Sequence, residues 1–253
     1  MSLFLVTGGG GFIGSNLVEA ILGRGDGVRV LDNFATWRRS NLANAASWAK
    51  AGSGSYELLE GDIRDLATCR QAVAGVDYVL HQAAIPSVQR SVKDPVGSNE
   101  VNVTGTLNLL VAARDENVKR FVMASSSSLY GESETLPKLE SMPSAPISPY
   151  GLQKLAGETY CGLFHRLYGL PAIALRYFNV FGPRQRADGR YPAVIPRWTS
   201  ELAAGRSPTV FGGADRSRDF TPVANVVRAN LLAARVAAER AGGLYNVGLG
   251  ERR

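Results

Sequence analysis

Short β-branched or aliphatic runs alternate along the chain with longer helix-forming stretches. The runs Leu3–Val6, Val28–Leu31, Tyr56–Leu59, Val76–Leu80, Phe121–Ala124 and Ala172–Phe178 predict strands. The segments between them predict helices over Phe12–Leu22, Asn41–Ala51, Leu66–Ala74, Val96–Arg114 and Tyr150–Tyr168. This β-α-β-α rhythm predicts an α/β protein with a doubly wound parallel sheet covered on both faces. After Gly182-Pro183 the texture changes, with a polar, turn-rich stretch over Arg184–Tyr191. A helix over Val194–Ala204, a short strand at Thr209–Phe211, a long helix over Val223–Arg240 and a final strand at Leu244–Val247 are expected beyond it. The expected organisation is a first domain over 1–183 to which 217–247 returns, a small lobe over 184–216, and a tail over 248–253.

Composition narrows the class. With 253 residues, 45% hydrophobic and 20% charged, the chain has the make-up of an ordinary folded domain rather than a disordered segment. Cys69 and Cys161 are too few for a disulfide framework or a structural zinc site. His81 and His165 are the other soft ligands, so no metal centre is expected. No apolar run is long enough to span a bilayer, and Met1–Val6 lacks the basic start of a signal peptide, so the expected compartment is the cytoplasm. The net charge of +6 favours an anionic partner. Its carriers, among them Arg38-Arg39, Lys119-Arg120, Arg184, Arg186, Arg190, Arg216 and Arg218, are scattered rather than clustered. That spread argues against nucleic acid and leaves a diphosphate ligand as the alternative.

Candidate chemistry begins where the first strand meets the first helix. Thr7-Gly8-Gly9-Gly10-Gly11-Phe12-Ile13-Gly14 allows a tight turn and close approach of a pyrophosphate to a helix N-terminus. Two spacings fit: Gly9, Gly11 and Gly14, or Gly8, Gly11 and Gly14. Asp32 closes the second strand, where a carboxylate bonds a ribose 2′-hydroxyl and repels a 2′-phosphate; this favours NAD over NADP, although Arg38 and Arg39 could soften that exclusion. Further on, Ser125-Ser126-Ser127-Ser128 ends a strand, and Tyr150 and Lys154 share a helix face at i and i+4. An ammonium beside a phenol stabilises the phenolate and is expected to lower the tyrosine towards neutral pH.

With these motifs in place the chain resembles the extended short-chain dehydrogenase/reductases, in the branch of the NAD-dependent nucleotide-sugar epimerases. The resemblance rests on Thr7–Gly14, Asp32–Thr36, Gly61–Ile63, His81–Ala84, Ser125–Gly131, Tyr150–Lys154 and Arg176–Pro183. It implies a Rossmann-type fold with NAD held by Gly8, Gly11, Phe12, Ile13, Gly14, Asp32, Asn33, Asp62, Ile63, Ala83, Ala84, Tyr150, Lys154 and Phe178. It implies Ser126, Tyr150 and Lys154 as the catalytic set. It also implies contacts to a UDP-sugar from Ser126, Asn179, Val194, Phe211 and Arg218. In the implied reaction Tyr150 takes the proton of the sugar 4-hydroxyl with Ser126 bridging. The hydride rests on NAD while the 4-keto sugar turns, and returns to its other face.

Within the branch, Ser127 and Ser128 stand where dehydratases carry an Asp-Glu pair, which argues against 4,6-dehydration. Uronate 4-epimerases usually show Thr where Asn179 stands. The segments Ser148-Pro149-Tyr150, Phe178–Gly182 and Ile195–Ser200 are most similar to UDP-N-acetylglucosamine 4-epimerases, with UDP-glucose/UDP-galactose as the alternative pair and UDP-glucuronate as a further one. Asn225 replaces the family's usual Asp, a change expected to touch structure rather than chemistry. Relatives continue well past Tyr245–Gly248, so the substrate lobe is expected to be truncated at Arg253. An NAD-binding sensor or scaffold that turns nothing over is the alternative of another class. The resemblance also implies a homodimer through the helices over Val96–Arg114 and Tyr150–Tyr168.

Overall fold

The computed structural model describes residues 1–187, 193–210 and 217–251. The strands are β1 (Leu3–Thr7), β2 (Gly27–Asp32), β3 (Tyr56–Glu60), β4 (Tyr78–His81), β5 (Arg120–Ser126), β6 (Ala172–Tyr177), β7 (Val180–Phe181), β8 (Thr221–Pro222) and β9 (Leu244–Val247). Seven of them form one sheet in the order β3-β2-β1-β4-β5-β6-β9, and every pair is parallel. The helices are α1 (Phe12–Leu22), α2 (Ala45–Gly52), α3 (Leu66–Val73), α4 (Val88–Lys93), α5 (Pro95–Asn99), α6 (Gly105–Asp115), α7 (Pro149–Tyr168), α8 (Val194–Ala203) and α9 (Val223–Arg235).

The aliphatic runs are apolar at consecutive positions because both faces of the sheet are covered. Phe4, Val6, Val30, Val122 and Leu175 pack on one face with Leu17 and Ile21 of α1 and Val226 and Ala233 of α9. Leu5, Leu31, Val79, Phe121 and Met123 pack on the other with α3, α6 and α7, through Val73, Leu109 and Phe164. The chain leaves β1 for β2 on one side and reaches β4 on the other. The crevice at this switch point is where open parallel sheets hold ligands.

Several elements differ from expectation. The helix over Asn41–Ala51 divides into a 3₁₀ turn at Arg39–Leu42 and α2, with Asn41 Nδ2 drawn to Gly10 O at 2.9 Å. The stretch Val96–Arg114 is helical but contains a π turn at Glu100–Thr104. There Asn102 is pulled out of the regular ladder: Oδ1 accepts from Ile85 N (2.8 Å) and Nδ2 donates to Gln153 Oε1 (2.8 Å). The last long helix stops at Arg235 rather than Arg240, and Arg235 pairs with Asp26. Thr209 and Val210 form no strand; Thr209 O instead accepts from Trp198 Nε1 at 3.2 Å, and Phe211 lies outside the described residues. The short parallel pair β7–β8 and the helix α4 were not expected.

Candidate active site

A cleft of about 370 Å³ opens at the carboxyl ends of the strands. Gly8, Gly11, Phe12, Ile13, Gly14, Asp32, Asn33, Asp62, Ile63, Ala83, Ala84, Tyr150 and Lys154 all line it. The structure selects between the two glycine spacings. Gly8 has φ +68°, and a Cβ there would stand 2.7 Å from Ala83 N. A Cβ on Gly14 would come within 2.1 Å of Gly8 O. Gly8, Gly11 and Gly14 are therefore the set the turn needs. Gly11 caps α1 without a side-chain bond, so the first-turn amides face the cleft as donors for an anion.

Asp32 ends β2 with one oxygen accepting from Gly10 N and the other from Phe34 N, both at 2.8 Å. Burial pushes its carboxyl above the ordinary range, against the opposing pull of those amides and of Arg39. Arg39 is itself stacked 4.3 Å over the Phe34 ring and paired with Glu60. Across the cleft, Arg64 grips Asp62 at 2.8 and 3.1 Å and, with Asn33 Nδ2 at 2.8 Å, holds its carboxyl down at about 2.

At the other end, Tyr150 and Lys154 lie one turn apart on α7, whose start is fixed by Ser148 Oγ accepting from Gly151 N (3.1 Å). Ser91 Oγ accepts from Tyr150 N at 3.0 Å. Lys154 Nζ donates to Ala124 O at 2.8 Å and stands 5.9 Å from the centre of the Tyr150 ring. Burial drives the lysine down to about 8, opposed by Glu158. Burial also pushes the Tyr150 phenol up to about 12, with a hydrogen bond to Ser126 pulling the other way. The expected lowering of the phenol by its lysine is not found: burial raises it, and the opposing pull comes from Ser126 rather than from Lys154. Ser126 Oγ also accepts from Ser128 N (3.1 Å) and so caps the turn Ser127–Tyr130.

Of the other expected residues, Ser126, Phe178, Asn179, Val194 and Arg218 do not line this cleft, and Phe211 lies outside the described residues. Phe178 follows β6, with its ring 6.3 Å from that of Tyr130. Asn179 Nδ2 donates to Asp219 O at 3.1 Å, next to the exposed Arg218, whose Nη1 donates to Ser217 O at 2.8 Å. Val194 opens α8 at the surface. Other lining residues were given no role of their own, some of them although they lie in motifs that carry the resemblance. Trp37 is one; Tyr177 is another, locked by Gln82 Oε1 (3.2 Å) and Asn230 Nδ2 (2.8 Å). Glu158 and Arg176, buried behind the catalytic face, were also missed, although Lys154 and Glu158 stand at the same i, i+4 spacing as Tyr150 and Lys154.

A switch-point crevice, a glycine turn at a helix N-terminus and an acid closing the second strand define a dinucleotide-binding Rossmann protein. The chain belongs to the NAD dependent epimerase/dehydratase family, whose pattern matches residues 4–248. It is 38% identical over 251 residues to a putative UDP-glucose 4-epimerase of Methanocaldococcus jannaschii, covering 98% of this chain and 77% of that one. Its fold matches the UDP-N-acetylglucosamine 4-epimerase of Methanobrevibacter ruminantium in complex with UDP-N-acetylmuramic acid, with TM-score 0.91, 38% identity and coverage of 100% and 78%. It also matches the Thermus thermophilus UDP-glucose 4-epimerase complex with NAD, with TM-score 0.86, 38% identity and coverage of 99% and 79%. The residues present fit NAD: the glycine cradle admits no Cβ at Gly8 or Gly14, and Asp32 stands at the ribose end of the same cleft as Tyr150 and Lys154.

Proposed function

We propose that the protein interconverts UDP-sugars that differ in configuration at C4, with UDP-GlcNAc/UDP-GalNAc or UDP-glucose/UDP-galactose as the pair. The observation that carries this reading is Tyr150 and Lys154 lining one cleft with Ser126 hydrogen-bonded to the Tyr150 phenol, and the uncharged Ser127 and Ser128 beyond Ser126. NAD, when bound, supplies hydride acceptance and return at the sugar carbon. The chain's own groups handle the proton. Tyr150 takes it from the 4-hydroxyl and gives it back, and Ser126 holds that hydroxyl in line. Lys154, anchored on Ala124 O, presents its charge beside the phenol. Opposite charge offsets the cost of a buried phenolate.

The segment 184–216 forms the substrate lobe in this reading. Asn179 and Arg218 grip the diphosphate from the β7–β8 edge, while Val194 faces the uracil; Phe211, expected beside it, lies outside the described residues. A guanidinium suits that task because it can grip two phosphate oxygens at once. The protein acts as a homodimer through the helices over Val96–Arg114 and Tyr150–Tyr168, supported by Val96, Leu152 and Leu167, which stand 69, 59 and 63% exposed there, and by Val92 on the neighbouring α4, 64% exposed. It works in the cytoplasm, a reducing compartment suited to its free thiols Cys69 and Cys161.

The test is incubation of the protein and NAD with UDP-GlcNAc, UDP-glucose and UDP-glucuronate in turn, followed by separation of the 4-epimers. Interconversion of either of the first two pairs supports the reading. Turnover of the uronate alone reassigns the substrate. NAD binding with no turnover of any of the three points to a sensor. Tyr150→Phe is expected to lower turnover by about 10²-fold or more.

A further inference from the structure

Glu158 and Arg176 form a buried ion pair, with side chains 4% and 3% exposed. Neither touches the cleft. Glu158 lies on α7 one turn past Lys154 and two past Tyr150, on the same helix face. Its Oε1 accepts from Ser125 Oγ (2.6 Å) and Arg176 Nε (2.8 Å), and its Oε2 accepts from Arg176 Nη2 (2.8 Å). The remaining arm, Arg176 Nη1, donates to the Tyr130 hydroxyl (2.8 Å), which donates onward to Asn246 Oδ1 (2.7 Å). Asn246 Nδ2 donates to Lys138 O and its backbone N to Glu140 Oε1, both at 2.8 Å. One chain of bonds thus joins β5, α7, β6 and β9 to the segment 131–148.

Burying such a pair adds little stability over an apolar pair of the same volume, because desolvation cancels most of the attraction. Its gain is geometric, since a two-pronged guanidinium–carboxylate contact admits one arrangement. Here that arrangement brackets Ser126. The residue before it, Ser125, is held by Glu158; the far end of the turn that Ser126 caps, Tyr130, is held by Arg176. Tyr150 rides on the same helix as Glu158.

We propose that Glu158 and Arg176 are positioning residues that set Ser126 against Tyr150 and tether segment 131–148 through Tyr130 and Asn246. This rests on the catalytic reading of Ser126, Tyr150 and Lys154 given above. Ser125→Ala and Tyr130→Phe each cut one link and leave the ion pair in place, so both are expected to fold. In each, kcat falls roughly ten-fold while KM for the sugar nucleotide and Kd for NAD stay within about two-fold. Tyr130→Phe also speeds amide hydrogen exchange over 131–148, and Ser125→Ala does not. Wild-type kcat in both variants, alongside an inactive Tyr150→Phe, overturns the proposal and leaves the catalytic reading standing. A rise in KM with kcat unchanged also overturns it, because the network would then shape the sugar site rather than Ser126. Unchanged exchange in Tyr130→Phe removes the tether. Full turnover in Tyr150→Phe overturns the catalytic reading itself.

Discussion

His81 shows how far burial governs the charged groups near the cleft. It is 1% exposed, and its ring nitrogens bond the Thr7 and Thr106 hydroxyls at 2.8 and 2.9 Å. Burial, helped by the charge of Lys154, holds the imidazole down at about 3 from an ordinary 6.5. Between those values the unfolded chain binds more protons than the folded one, so stability is lost as pH falls through that window. His81→Gln is expected to lose less stability between about pH 6 and pH 4 than the wild type. Urea unfolding at several pH values measures it; parallel pH slopes for the two proteins refute a buried neutral His81. Lys154, driven down from 10.5 to about 8, has the same sign in the alkaline range, where stability rises with pH. The residue types of this site were legible from their spacing. Their charge states were not, because desolvation depends on neighbours brought from other elements. The fate of Arg39 was equally hidden, since Glu60 meets it only when β2 and β3 pair.

At the scale of elements, α1 was legible to both ends because the glycine turn and the apolar face are local features. Gly14→Ala tests the turn. The added Cβ would lie 2.1 Å from Gly8 O, a backbone atom that cannot swing aside. A loss of about 1–3 kcal/mol and of NAD affinity is expected, read by thermal unfolding and calorimetry. Gly162 is the contrast: it lies inside α7 with nothing within 4 Å of an added Cβ. Gly162→Ala is expected to stabilise the protein by about 0.5–1 kcal/mol. Destabilisation there would show that α7 is covered at that point. The π turn at Glu100–Thr104 was illegible because its cause is distant: Asn102 bonds Gln153, 51 positions away in the chain. The absent strand at Thr209 has a similar cause, since its backbone is engaged by α8.

At the scale of the molecule, exposed apolar side chains on α4, α5 and α7 predict self-association. Val92→Glu combined with Leu167→Glu is expected to give a monomer where the wild type sediments as a dimer. A wild type that sediments as a monomer refutes the dimer. The sequence alone determined the parallel α/β architecture, the glycine turn, the acid at the end of β2 and the pairing of Tyr150 with Lys154. Each of these is a short-range pattern: consecutive apolar residues, a fixed spacing, or one helical turn. Tertiary structure decided what depends on distant contacts. It chose Gly8 over Gly9 as the first glycine of the set, because only Gly8 takes the left-handed conformation against Ala83. It placed Asn179 and Arg218 together at the β7–β8 edge, where neither lines the cleft that holds Tyr150. It also joined Ser125, Glu158, Arg176, Tyr130 and Asn246, drawn from separate elements, into one buried chain of bonds. Such a chain has no sequence period, because buried polar groups find their partners across the fold rather than along the chain.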